Sequence, residues 1–182
     1  MRMAAPQYYS ADMVRALPDD GNRYETVYGE LLVTPAPRAL HQLVLRRLLV
    51  ALDGYLRDNH VGELLSSPAD ISWGPDILVQ PDLFVVDLDQ ARTLDWAAMK
   101  NLLLAVEILS PSTQRYDRFT KRRLYQQVGI PLYWIVDPES ATVEVWHPDM
   151  TFPTTERGTI TWQPDGAGEA FSLDLTELFR PI

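Results

Sequence analysis

The segment that most constrains this chain is Leu102-Leu103-Leu104-Ala105-Val106-Glu107-Ile108-Leu109, in which a single acid interrupts an otherwise apolar run. Apolar density of this kind reads as a buried strand, and Ser110-Pro111-Ser112 stops it. A lone carboxylate in such a strand is costly unless a cation or hydrogen-bond donors compensate it. Glu107 therefore needs partners, and two candidates lie nearby in the chain. Pro81-Asp82 enters another apolar run, and Lys121 sits in a basic stretch shortly after Glu107. Two acids and a lysine are the parts of a metal-dependent phosphodiesterase site.

The rest of the pattern alternates helices and strands. Ser10-Ala11-Asp12-Met13 starts a short helix with a serine cap, and Pro18-Asp19-Asp20-Gly21 ends it. Tyr24 to Val27 and Glu30 to Val33 flank Tyr28-Gly29 as a hairpin or bent strand. Leu40, Leu43, Val44, Leu48, Ala51, Leu52, Tyr55 and Leu56 recur at helical spacing, which predicts a long amphipathic helix over residues 39–59, with Arg46, Arg47 and Arg57 off its apolar stripe. Strands are predicted over 62–66, 69–73 and 77–87, the last with an edge or bulge at Pro81. Residues 92–100 are ambiguous. A second helix is predicted over 116–128, closed by Gly129-Ile130-Pro131, then strands over 132–136 and 142–146, a further strand over 158–162 and a short terminal helix within 173–179.

With 182 residues, 46% of them hydrophobic, the chain can bury one α/β core, and no linker divides it, so residues 1–182 read as one domain. It has no cysteine. Met1 to Pro6 contains no signal-peptide apolar core, and no apolar run reaches the roughly 20 residues that cross a bilayer. A soluble, cytoplasmic protein without membrane contact is the expectation. The net charge of -9 argues against a generally basic nucleic-acid binder. The charge is uneven, however: residues 138–182 hold eight acids against Arg157 and Arg180, whereas Arg115, Arg118, Lys121, Arg122 and Arg123 face only Asp117.

Strand alternation puts Glu107 and Leu109 on one face of their strand, and Asp82 and Phe84 on one face of theirs. If the two strands are neighbours, both acids meet. Mg²⁺ favours octahedral oxygen coordination and typically takes one or two carboxylates, leaving positions for water and phosphate. Asp82 and Glu107 supply that many, and a nearby lysine can orient the attacking water or stabilise developing charge.

The order of these pieces resembles the PD-(D/E)XK nuclease superfamily and, within it, the Uma-type restriction endonuclease family. The matching stretches are Tyr24-Glu25 with Gly29-Glu30-Leu31, His41 at the head of the long helix, Pro81-Asp82, Glu107 to Ser112, Asp117-x-x-x-Lys121-x-x-x-Tyr125, and Gly129 to Pro138. Leu109 stands where the lysine of the E-x-K pattern belongs. The resemblance implies that the lysine has moved to the following helix, as Lys121. It implies a restriction-endonuclease-like α/β core, a mixed central sheet flanked by helices, with an added N-terminal hairpin and C-terminal strands. It further implies Mg²⁺-dependent cleavage of DNA, with Mn²⁺ as a substitute, by Asp82 and Glu107 as metal ligands, Lys121 assisting water attack and Glu30 near the site. Arg115, Arg118 and Arg122 would position backbone phosphates. Two rivals stay open: a catalytically silent nuclease-fold binding or scaffolding protein, and a hydrolase of small phosphate substrates. The C-terminal aromatics Trp146, Phe152, Trp162, Phe171 and Phe179 permit a homodimer.

Overall fold

The structure, a computed structural model, describes residues 7–182, so the reading of Met1 to Pro6 lies outside it. Helix α1 (Ala11–Arg15) is capped by the Ser10 hydroxyl, which accepts from the Met13 amide at 3.1 Å. The hairpin β1 (Arg23–Val27) and β2 (Glu30–Thr34) follows. Its turn residues Tyr28 and Gly29 both take positive φ, 53° and 80°, and a Cβ on Gly29 would come within 2.3 Å of the Tyr8 ring. Then come α2 (Ala39–Asn59), β3 (Glu63–Ser66), β4 (Ile71–Gly74), β5 (Ile77–Val79), β6 (Leu83–Val86), α3 (Leu88–Ala91) and β7 (Leu102–Ile108). A π-helical turn, Tyr116–Lys121, runs into α4 (Arg122–Gln127). Strands β8 (Tyr133–Asp137), β9 (Thr142–Trp146), β10 (Thr154–Glu156), β11 (Thr159–Trp162) and β12 (Phe171–Asp174), with α5 (Leu175–Leu178), complete the chain.

The central sheet has the order β10-β9-β8-β7-β6-β3 and is mixed: β7 and β8 run parallel, joined by the crossover through α4, and the other pairs are antiparallel. A second sheet, β2-β1-β5-β4, covers one of its faces, where Phe84, Ala105, Leu109, Tyr133 and Ile135 pack with Val27, Ile71 and Val79. Helix α2 covers the other. Val44, Leu48, Leu52 and Leu56 recur every fourth residue and are buried against Leu83, Leu104, Val106 and Trp134. Burial of each of these side chains is worth about 1.5–3 kcal/mol, which makes α2 a principal stabilising element. The pair β11-β12 and α5 extend this second layer, with Trp162 and Phe171 around Trp134 at centroid distances of 6.5 and 6.0 Å.

One difference from the sequence reading matters for the site. Residues 77–87 are not one strand: β5 belongs to the small sheet and β6 to the central one. The break falls at Gln80-Pro81-Asp82. Pro81 has no N–H to give a ladder, and the Gln80 amide donates to the Glu25 carboxylate at 2.6 Å instead of to a neighbouring strand. The chain thus changes sheets immediately before Asp82.

Candidate active site

Asp82 precedes β6, and the antiparallel register that pairs Leu83 with Val106 and Phe84 with Ala105 brings it opposite Glu107. Alternation then sets both acids on the face that carries Phe84 and Ala105, so the two carboxylates share one side of the sheet. Each is held differently. Asp82 Oδ1 accepts from Arg23 Nη1 at 2.9 Å, and its Oδ2 accepts from the Ile108 amide at 2.8 Å and lies 3.1 Å from His41 Nε2. Burial by itself would raise the pKa of Asp82. The His41 hydrogen bond, the Arg23 charge and the Ile108 amide outweigh it and hold the carboxyl well below the usual range.

Glu107 is 1% exposed and accepts at Oε1 from Lys121 Nζ at 2.9 Å and from the Tyr125 hydroxyl at 3.1 Å. Burial pushes its pKa well up. Lys121 opposes this, while the charges of Asp117, Asp82 and Glu25 add to it. Lys121 comes from the π-helical turn, where the Arg122 amide bonds five residues back to Asp117. Such wide turns concentrate at functional sites, and this one brings Asp117 and Lys121 together into the core. Lys121 Nζ lies 3.0 Å from Glu25 Oε2, 2.9 Å from Glu107 Oε1 and 3.6 Å from Asp117 Oδ1. Burial lowers its pKa, but the three carboxylates prevail and keep it above the ordinary lysine value, so it stays charged. Asp117 is raised to about 6, mainly by burial, against the pull of Lys121 and of the Thr113 hydrogen bond. Its Oδ1 has no hydrogen-bond partner, nor has His41 Nδ1.

A cleft of about 770 Å³ opens over this cluster. Asp82, His41 and Asp117 line its floor, and Tyr24, Pro37 and Pro111 belong to its walls. Glu107 and Lys121 do not line it. Lys121, read from the sequence as reaching the attacking water, is walled off at 2% exposure behind its three carboxylates.

The structure brings Asp82, Glu107 and Lys121 together and leaves the other sequence candidates out. Glu30 opens β2 opposite Val27 with its side chain exposed, because it occupies the solvent position beside the tight turn. The hairpin acid that enters the cluster is Glu25, 1% exposed. Arg115 is exposed and outside the cleft lining. Arg118 is engaged by Glu144 at 2.7 Å and Asp137 at 3.2 Å, and Arg122 lies 4.7 Å over the Trp146 ring while donating to the Arg118 carbonyl. Neither lines the cleft. Arg23 leaves no mark in the sequence beyond a basic residue at a strand start. Asp117 does, since it stands four residues before a lysine, and Glu25 is marked only as an acid at the centre of a short strand.

As a donor set the cluster is rich in hard oxygen ligands. Four acids, Glu25, Asp82, Glu107 and Asp117, face two fixed cations, Arg23 and Lys121, and one buried carboxylate oxygen is orphaned. That surplus fits a divalent cation in charge and ligand type. Among the described residues, no three acid or histidine side chains already enclose a metal position.

A mixed α/β sheet with one acid at a strand mouth, a second inside the neighbouring strand and a lysine from the following crossover defines a restriction-endonuclease-like protein. The model of the Uma2 family, described as "Putative restriction endonuclease", matches residues 11–176, and the chain belongs to that family. Among solved structures, it is similar to a protein from Anabaena variabilis described as "a putative nuclease belonging to DUF820". That likeness has a TM-score of 0.76 at 21% identity, and covers 94% of this chain and 97% of that one. No curated protein matches the chain. No helix among the described residues is long and apolar enough to cross a membrane.

Proposed function

We propose that this protein is a Mg²⁺-dependent endonuclease that hydrolyses DNA phosphodiester bonds. The observation that carries the reading is the meeting of Asp82 and Glu107 on one sheet face beneath an open cleft, with Lys121 Nζ 2.9 Å from Glu107. Asp82 and Glu107 would hold the ion, which supplies Lewis acidity to a phosphate oxygen and acidity to a bound water. The chain's own groups prepare this. Arg23, His41 and the Ile108 amide keep Asp82 ionised and fix its two oxygens. Lys121 acts from behind: it opposes, without cancelling, the neutralisation of Glu107 and Asp117 that burial favours, and a bound cation would add to that opposition. The Tyr125 hydroxyl orients Glu107. Asp117, which belongs to the cleft lining, would accept the proton of the attacking water.

The test is cleavage of supercoiled plasmid and of single-stranded DNA by purified protein with Mg²⁺ or Mn²⁺, beside Asp82→Ala, Glu107→Ala and Lys121→Ala. The reading expects metal-dependent nicking or linearisation that falls at least about 100-fold in each variant. Cleavage that survives Asp82→Ala would sink it. The cleft itself favours a second reading, since about 770 Å³ lies within the range of small-molecule sites. A hydrolase of small phosphodiesters would turn over bis(p-nitrophenyl) phosphate or nucleotides while leaving plasmid intact.

A further inference from the structure

Arginines follow α2 outward from the cleft. Arg38 stands at its N-cap and lines the cleft with Gln42 and Leu45. Arg46, one turn beyond Gln42, is exposed, and neither it nor Arg38 is held by an ion pair among the described residues. Arg47 turns toward the C-terminal segment and donates to the carbonyls of Leu178 at 2.9 Å and Arg180 at 2.5 Å. Arg180 comes back toward the helix, paired with Glu177 at 2.6 Å. Arg46, Arg47 and Arg180 line a second depression of about 210 Å³ whose only acid among the described lining residues is Glu177. They lie close enough that the charges of Arg180 and Arg46, after burial, push the Arg47 pKa down.

Glu177 offsets only one of the three guanidiniums gathered here, so the depression keeps a positive surplus in a chain of net charge -9. The eight residue steps from Arg38 to Arg46 span about 12 Å along the helix axis. One strand of a duplex presents a phosphate about every 3.4 Å along its axis, so several would fall on this stretch. We propose that Arg38, Arg46, Arg47 and Arg180 form a phosphate track that carries a nucleic-acid strand from the cleft along α2 into the second depression. The track takes the place of Arg118, whose Nε, Nη1 and Nη2 are all engaged, and of Arg122, which lies over Trp146; Arg47 and Arg180 are each engaged through Nη1 alone, which leaves donors for a phosphate. The proposal rests on the nuclease reading, because the strand on the track is the substrate.

The experiment is fluorescence anisotropy with a labelled oligonucleotide, single-stranded and duplex, across a salt series in Mg²⁺, in an Asp82→Asn background that leaves the DNA uncut. Arg38→Ala, Arg46→Ala and Arg180→Ala should each weaken binding several-fold and flatten the slope of log K against log salt by about 0.7 for a single strand or 0.9 for a duplex. Arg57→Ala, at the far end of α2 and paired with Asp53, and Arg118→Ala should leave the slope in place. Unchanged slopes in the three track variants, equal losses in the two controls, or no binding in this background by a protein whose wild type cuts DNA would each overturn the track alone. A wild type that neither binds nor cuts DNA would overturn the track and the nuclease reading together.

Discussion

Lys121 is a buried ammonium with three carboxylate neighbours, and it shows how one residue sets the charge state of others. Without it, Glu107 and Asp117 would lose their cation in a dry interior, and Glu25 would keep only Arg23, 3.9 Å away. Even with it, Asp117 titrates near 6 against an ordinary value of 3.8. The folded state therefore binds a proton at Asp117 that the unfolded chain has already lost between about pH 4 and 6. Stability from this group is present below pH 4 and is lost as pH rises through 6. Replacing Asp117 by Asn removes the effect, so in metal-free urea unfolding the variant should lose about 3 kcal/mol less than wild type between pH 4 and pH 7.5. Equal losses would show that Asp117 does not titrate as its surroundings dictate. Added Mg²⁺ should narrow the gap, because an ion bound only by the folded state stabilises it where the acids are ionised. At this scale the sequence is informative wherever a residue breaks a local pattern. Glu107 within an apolar strand and the Asp117–Lys121 spacing are both visible. Arg23 is not, because its importance comes from Asp82, fifty-nine residues further on.

Elements carry these side chains to one place, and the hairpin β1-β2 shows the dependence most simply. β1 pairs with β5 on one edge and β2 on the other, and Glu25 reaches both the Gln80 amide and Lys121 from it. The hairpin closes through Tyr28-Gly29 at positive φ, and a side chain at position 29 would be both strained and driven into the Tyr8 ring. Gly29→Val should cost about 2 kcal/mol or more in urea unfolding and lower cleavage as well, since Glu25 shifts with the turn. A stable variant with full activity would detach the hairpin from the site. The long helix, the hairpin and the strands over 102–108 and 133–137 are all readable from periodicity and turn residues. The break at Gln80-Pro81-Asp82 is not, because a run of apolar residues looks the same whether it serves one sheet or two. Only the tertiary partners, Glu25 for the Gln80 amide and Ile108 for the Asp82 carboxylate, decide it. The resemblance implies Glu30 near the site, whereas Glu25 is the hairpin acid that enters the cluster: in a short hairpin the inward face depends on register, and one step exchanges inside for outside.

For the molecule as a whole, the central sheet divides stability from chemistry. Its α2 face is an apolar layer of leucines, valines and aromatics, while the opposite face is apolar except where the acids and Lys121 sit. The C-terminal aromatics serve mainly the apolar packing. Trp162 and Phe171 are buried beside Trp134, Phe179 packs against the same layer, Trp146 is buried on the other face, and Phe152 alone is largely exposed. The surface they leave for pairing two copies is therefore small. The overall charge of -9 coexists with a local basic track, so charge placement rather than total charge speaks to the partner. All of this turns on the claim that Asp82 and Glu107 form one metal site. The most direct measurement is anomalous scattering from crystals soaked in Mn²⁺. The account predicts a peak about 2 Å from both carboxylates, lost in Asp82→Ala. A peak elsewhere, or none at a concentration that supports cleavage, would contradict it.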